Sequence, residues 1–192
     1  MNIQLPTVWS MGWIEVVCGS MFSGKTEELI RRIKRAQIAK QKVQIFKPVL
    51  DNRYSGDHVT SHSQLQLDAV NIHDPEEILT NLDDGTRIVG IDEAQFLANS
   101  IVEISHRLAN RGLRVIIAGL DLDYRGVPFG PMPLLMATAE FVTKMSAICT
   151  VCGNPASRTQ RVRQNTPQAD QVLVGADEIY EARCRRCFEP PK

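Results

Sequence analysis

The sequence predicts an α/β protein, with a parallel sheet covered by helices on both faces and a small module of different texture after it. Three observations carry this reading. Apolar strand-like runs alternate with amphipathic segments over about the first 140 residues. A glycine-bounded loop joins the first such run to the first helical pattern. Two Cys-x-x-Cys pairs then appear beyond residue 148, where short stretches replace the long units. At 192 residues the chain suits one main core with an appendage and is too short for two ordinary domains.

Met1 to Met11 carries Pro6 and little periodicity, so it reads as a tail. Trp13 to Cys18 is apolar enough for a buried strand, and Gly19 to Thr26 leads into a helix with Leu29, Ile30, Ile33 and Ala36 at helical spacing. Val43 to Phe46 is a second strand ended by Pro48, and Asp51 to Gln64 reads as polar loop. Pro75 to Leu82 suits a short helix, with Asp74 as cap and Pro75 in the first turn. Arg87 to Ile91 is a third strand. A helix from about Asn99 to Asn110 has Ile101, Ile104 and Leu108 on one stripe, with Gly112 beyond its end. Arg114 to Ala118 is the fourth strand. The division that follows is a main domain at 12–147, a cysteine module at 148–188, and tails at 1–11 and 189–192.

Composition narrows the function. Apolar residues make up 43% and charged residues 23%, which excludes disorder, collagen and coiled coil. Twenty-two basic residues balance twenty-two acidic ones, so the global basic field of a non-specific nucleic-acid binder is missing and no nucleic-acid partner is expected. The longest apolar run, Val115 to Leu120 broken by Gly119, falls far short of the ~20 residues that span a bilayer, so no membrane association is expected. The N-terminus does not read as a secretory signal, and a cytoplasmic location is the default.

Gly19-Ser20-Met21-Phe22-Ser23-Gly24-Lys25-Thr26 matches the phosphate-loop pattern G-x-x-x-x-G-K-[ST] in the strand-to-helix setting the motif requires. Gly19 and Gly24 let the backbone turn its N–H groups onto phosphates. Lys25 reaches the β- and γ-phosphates, and the Thr26 hydroxyl suits Mg²⁺. Nucleotide binding is the strongest single inference. Arg31, Arg32, Lys34, Arg35, Lys40 and Lys42 crowd the next helix, but they interleave with its apolar positions and read as a solvated face rather than a nucleic-acid surface.

The third strand ends in Asp92-Glu93. Asp92 is placed to hold Mg²⁺, and Glu93 beside it can take a proton from an attacking hydroxyl; the plainer reading of Glu93 is a helix cap. Cys149-x-x-Cys152 and Cys184-x-x-Cys187 are half-sites of a four-thiolate zinc centre, with disulfides and redox chemistry as the weaker readings. Four thiolates leave no open position, so such a metal staples rather than catalyses. Cys18 reads as an inert buried thiol. The 31 residues between the half-sites form a long excursion that reads equally as a lid over a second substrate or as a surface loop.

From Gly12 to Phe188 the chain resembles the cytosolic-type (type II) thymidine kinases. The resemblance is carried by the phosphate loop, Lys47-Pro48-x-x-Asp51-x-Arg53-Tyr54, Asp92-Glu93-Ala94-Gln95-Phe96, Gly119-Leu120-Asp121, Pro128-Phe129-Gly130, and Gly175-Ala176-Asp177 before Tyr180, in that order. It implies a RecA-like P-loop NTPase domain followed by a small zinc-bound lasso domain. It implies transfer of the ATP γ-phosphate to the 5′-hydroxyl of thymidine, and of deoxyuridine, giving dTMP in nucleotide salvage for DNA synthesis. Glu93 would be the general base, with Asp51, Arg53, Ala94 and Gln95 joining Gly19 to Thr26, Asp92 and Glu93 around ATP. The thymine pocket would be formed by Met21, Phe96, Leu120, Tyr124, Phe129 and Thr159, closed by Val172, Leu173, Val174, Gly175 and Tyr180. A homotetramer and feedback inhibition by dTTP are further implications.

Overall fold

The computed structural model describes residues 11–49, 58–60, 66–162 and 179–191. Strands β1 (Trp13–Gly19), β2 (Val43–Pro48), β3 (His58–Thr60), β4 (Gln66–Asp68), β5 (Val70–Ile72), β6 (Ile88–Ile91), β7 (Arg114–Leu120) and β8 (Phe141–Met145) alternate with helices α1 (Lys25–Ile38), α2 (Glu77–Thr80), α3 (Ser100–Asn110) and α4 (Met132–Thr138). The main sheet has six strands in the order β5-β2-β6-β7-β1-β8, and every neighbouring pair is parallel. Strand β7 therefore separates the phosphate-loop strand from the strand that leads into Asp92, which is the RecA-like order.

Side chains alternate along the strands between two apolar layers, because successive residues point to opposite faces. Ile14, Val16, Cys18, Val89, Ile91, Val115 and Ile117 face α3 and α4 through Ile101, Ile104, Leu108, Met132 and Leu135. Val17, Ile88, Ile116 and Ala118 face Leu29, Ile30, Ile33 and Ala36 of α1. Both faces are covered, as a parallel sheet requires. Because all the strands run the same way, the C-terminal ends of β1, β6 and β7 deliver Gly19, Ile91 and Leu120 to one edge, and the site is built there.

Some predicted elements change. The helix predicted over Pro75 to Leu82 is only Glu77–Thr80; the Asp74 carboxylate accepts from the Glu76 N–H at 2.9 Å, so capping shapes the turn before the helix. Strand β2 runs through Pro48, which pairs with Ile72 of β5. Part of the predicted loop from Asp51 to Gln64 is strand: β3 pairs antiparallel with β4, while residues 51–57 and 61–65 lie outside the described residues. Strand β8 and helix α4 were not predicted. Beyond the sheet come β9 (Ala147–Ile148) paired with β10 (Pro155–Ala156), and β11 (Arg158–Arg161) paired with β12 (Tyr180–Arg183).

Candidate active site

The phosphate loop leaves β1 at Gly19 and enters α1 at Lys25. Gly24, the helix N-cap, is left-handed (φ 81°, ψ 24°) and offers no capping side chain, so the first-turn N–H groups stay available to an anion. The Lys25 ammonium donates to the Ser20 carbonyl at 2.9 Å, closing the loop on itself. Desolvation lowers the Lys25 pKa, and the charges of Glu93, Asp92 and Asp121 oppose that shift. Phe22, at φ 63°, packs against the apolar cluster of the cysteine module.

Asp92 sits just past the end of β6, its N–H donating to the Phe46 carbonyl at 3.0 Å. Its buried carboxylate accepts from the Thr26 hydroxyl at 3.1 Å and from the Glu93 N–H at 3.0 Å. Burial, then the charge of Glu93, pushes the Asp92 carboxyl up to about 7 against these hydrogen bonds and Lys25. Two facing oxygen ligands of this kind suit a hard divalent cation. Glu93 has a left-handed backbone (φ 53°, ψ 36°), and its carboxylate accepts from the Gln95 amide at 2.5 Å.

The predicted thymine-pocket residues fall into two sets. Phe96 meets Phe129 edge-on, with centroids 5.4 Å apart and planes at 83°. The Phe129 N–H donates to the Asp121 carbonyl, next to Leu120, at 3.1 Å. In the second set the Met21 N–H donates to the buried Thr159 hydroxyl at 3.1 Å, and Tyr180 pairs with Arg161 across β11 and β12. Tyr124 meets the second set through Arg161, whose guanidinium lies 5.3 Å from the Tyr124 ring centre. Asp51, Arg53, Val172, Leu173, Val174 and Gly175, and the excursion at 163–178, lie outside the described residues.

The Cys149, Cys152, Cys184 and Cys187 sulfurs all lie within 4.8 Å of one another, with Cys152 and Cys184 3.6 Å apart. Tetrahedral zinc with bonds of ~2.3 Å places its sulfurs ~3.8 Å apart, so the donor set and spacing fit a closed zinc site. The module touches the phosphate loop, since the Ser20 hydroxyl donates to the Ala156 carbonyl at 3.3 Å.

The thymidine kinase family model matches residues 12–188. The chain belongs to the thymidine kinase family. It is also 58% identical over 184 residues to a thymidine kinase of Bdellovibrio bacteriovorus, covering 95% of this chain and 88% of that protein. The chain is accordingly a kinase that phosphorylates thymidine at the expense of ATP. Among the described residues, no helix of this kinase is long and apolar enough to cross a membrane.

Sequence reasoning left two residues of the site without a role. Asp121 is buried just past β7, with Lys144 Nζ 2.7 Å from one oxygen but outside hydrogen-bond geometry, so neither oxygen is hydrogen-bonded among the described residues. Its signal is a carboxylate at a strand end, as at Asp92. Arg161, whose Nε and Nη2 are buried without a hydrogen-bond partner among the described residues, has no comparable signal. Gln95, read from the resemblance as part of the ATP site, joins Glu93 to the Leu120 N–H.

Proposed function

We propose that the kinase transfers the γ-phosphate of ATP to the 5′-hydroxyl of thymidine, and of deoxyuridine, with Glu93 as general base. The observation that carries this is the Glu93 carboxylate, next in the chain to an Asp92–Thr26 oxygen pair at the mouth of a complete phosphate loop. The 5′-oxygen forms its bond to γ-phosphorus as the bond to the β,γ-bridging oxygen breaks. The hydroxyl proton goes to Glu93, and ADP leaves with the electron pair. Loop N–H groups and Lys25 hold the triphosphate, so catalysis is mostly positioning and charge neutralisation. Thr26 and Asp92 would hold magnesium, which would supply charge neutralising the triphosphate when bound.

Met21, Phe96, Leu120, Tyr124, Phe129 and Thr159 line the thymine site in this reading, with Val172 to Gly175 and Tyr180 closing it and Asp51 and Arg53 near the transferred phosphate. The cysteine module, 148–188, is a unit apart from the 12–147 domain, held by structural zinc. A cytoplasmic homotetramer under dTTP feedback completes the proposal, on the family resemblance. Incubating the protein with Mg-ATP and a nucleoside panel tests the function. Thymidine and deoxyuridine should yield 5′-monophosphates and ribonucleosides should not; no phosphorylation of thymidine refutes the reading.

A further inference from the structure

We infer that Gln95 is a positioning residue that clamps the Glu93 carboxylate for proton transfer, using the end of β7 as its anchor. This rests on the reading of Glu93 as the base. Gln95 is 2% exposed and both ends of its side-chain amide are engaged: the amide oxygen accepts from the Leu120 N–H at 2.9 Å, and the amide nitrogen donates to Glu93 Oε2. A backbone N–H can only donate, so the Leu120 contact dictates which end of the amide faces β7. The donor end is thereby aimed at the carboxylate, with no freedom to flip. Among the described residues, no other group hydrogen-bonds the Glu93 carboxylate.

The clamp is itself wedged. A Cβ at Gly119 would lie 2.8 Å from Gln95 Oε1, and one at Gly130 would lie 2.3 Å from the Gln95 carbonyl oxygen. Gly130 also holds a left-handed φ of 49°, so the turn that carries Phe129 closes directly on the Gln95 backbone. The next residue, Phe96, meets Phe129 edge-on. The base, the end of β7 and the aromatic pair therefore share one buried fastening. The gain is geometric: Glu93 extends from a left-handed backbone with Gln95 as the one hydrogen-bond partner of its carboxylate among the described residues, and a displacement of ~1 Å at a reacting group costs up to about 10²-fold in rate.

The test is a double-mutant cycle in the full chain. Gln95→Met keeps the length of the side chain and loses both hydrogen bonds, while Gln95→Glu keeps an acceptor for Leu120 and loses the donor to Glu93. Each should lower kcat about 10- to 100-fold with KM for ATP and thymidine within about threefold. In a Glu93→Gln background, adding Gln95→Met should change single-turnover rate by less than about twofold, because its effect runs through Glu93. Both Gln95 variants folded and at parental kcat, with Glu93→Gln strongly impaired, would overturn this inference and leave the base assignment standing. Losses that multiply in the double variant would also overturn it, assigning Gln95 a merely structural role. Parental kcat in Glu93→Gln would remove the base assignment and this inference together.

Discussion

The cysteine module should depend on the proposed zinc for structure, and the kinase should depend on the module for activity. The module's apolar core is meagre: Ala147, Ala156 and Ala182, with Cys149 and Cys184. The three buried alanine methyls contribute about 2–3 kcal/mol, and burial of Tyr180 on β12 adds about as much again. Ordering β11 and β12, of four residues each, costs about 8–16 kcal/mol of backbone entropy alone. Structural zinc contributes about 10–16 kcal/mol, which closes the difference. Cys187→Ser opens the site while leaving the buried Cys149 and Cys184 in place. Metal analysis should find less zinc than the one equivalent proposed for the parent, and hydrogen exchange should show β11 and β12 losing protection while β1, β6 and β7 keep theirs. Turnover should fall with them, because the Ser20–Ala156 and Met21–Thr159 contacts brace the phosphate loop from the module side. Zinc-free parent protein with β11 and β12 fully protected and normal kcat would refute the reasoning.

Glu93→Gln retains shape and loses basicity, so kcat should fall by roughly 10²–10⁴ while ATP affinity measured by calorimetry stays close to that of the parent. Lys25→Met should weaken ATP binding and turnover together, each by about tenfold or more, since Lys25 sits against Ser20 inside the loop; unchanged binding would remove it from the phosphate site. The Glu28 carboxylate is held down to about 2, from an ordinary 4.5, first by Arg31 and then by Arg32 against burial. A depressed acid stabilises the fold above pH 4.5 and loses that contribution as pH falls toward about 2. Glu28→Gln should therefore destabilise by up to about 1 kcal/mol at neutral pH, given that Arg31 is largely solvated, and the deficit should shrink through that window in denaturant titrations.

The strongest elements were legible because local chemistry determines them. The glycine-bounded loop with Lys25 and Thr26, the apolar strands read to Cys18 and Ile91, and the stripe Ile101, Ile104, Leu108 each satisfy a short-range rule, and each stands within a residue of where it was read. Strand β8 was missed because Phe141–Met145 lies on the sheet edge with Phe141 and Val142 exposed, so no buried alternation marks it. The β3–β4 pairing was hidden for a related reason: two three-residue strands separated by polar residues look like loop until they find each other.

Residue types and spacing alone determined the chemistry on offer: a phosphate loop, a carboxylate pair and four thiolates. Only the tertiary structure decided which groups meet. Strand order places Thr26 against Asp92 across 66 residues of chain, and the end of β7 reaches back to orient Gln95 toward Glu93. It also presses Phe22 of the phosphate loop into the cysteine module and leaves Asp121 buried beside Lys144. Local rules act over a few residues through backbone geometry. These partnerships exist because the parallel sheet aligns the ends of β1, β6 and β7 on one edge, and long-range alignment leaves no periodic trace along the chain.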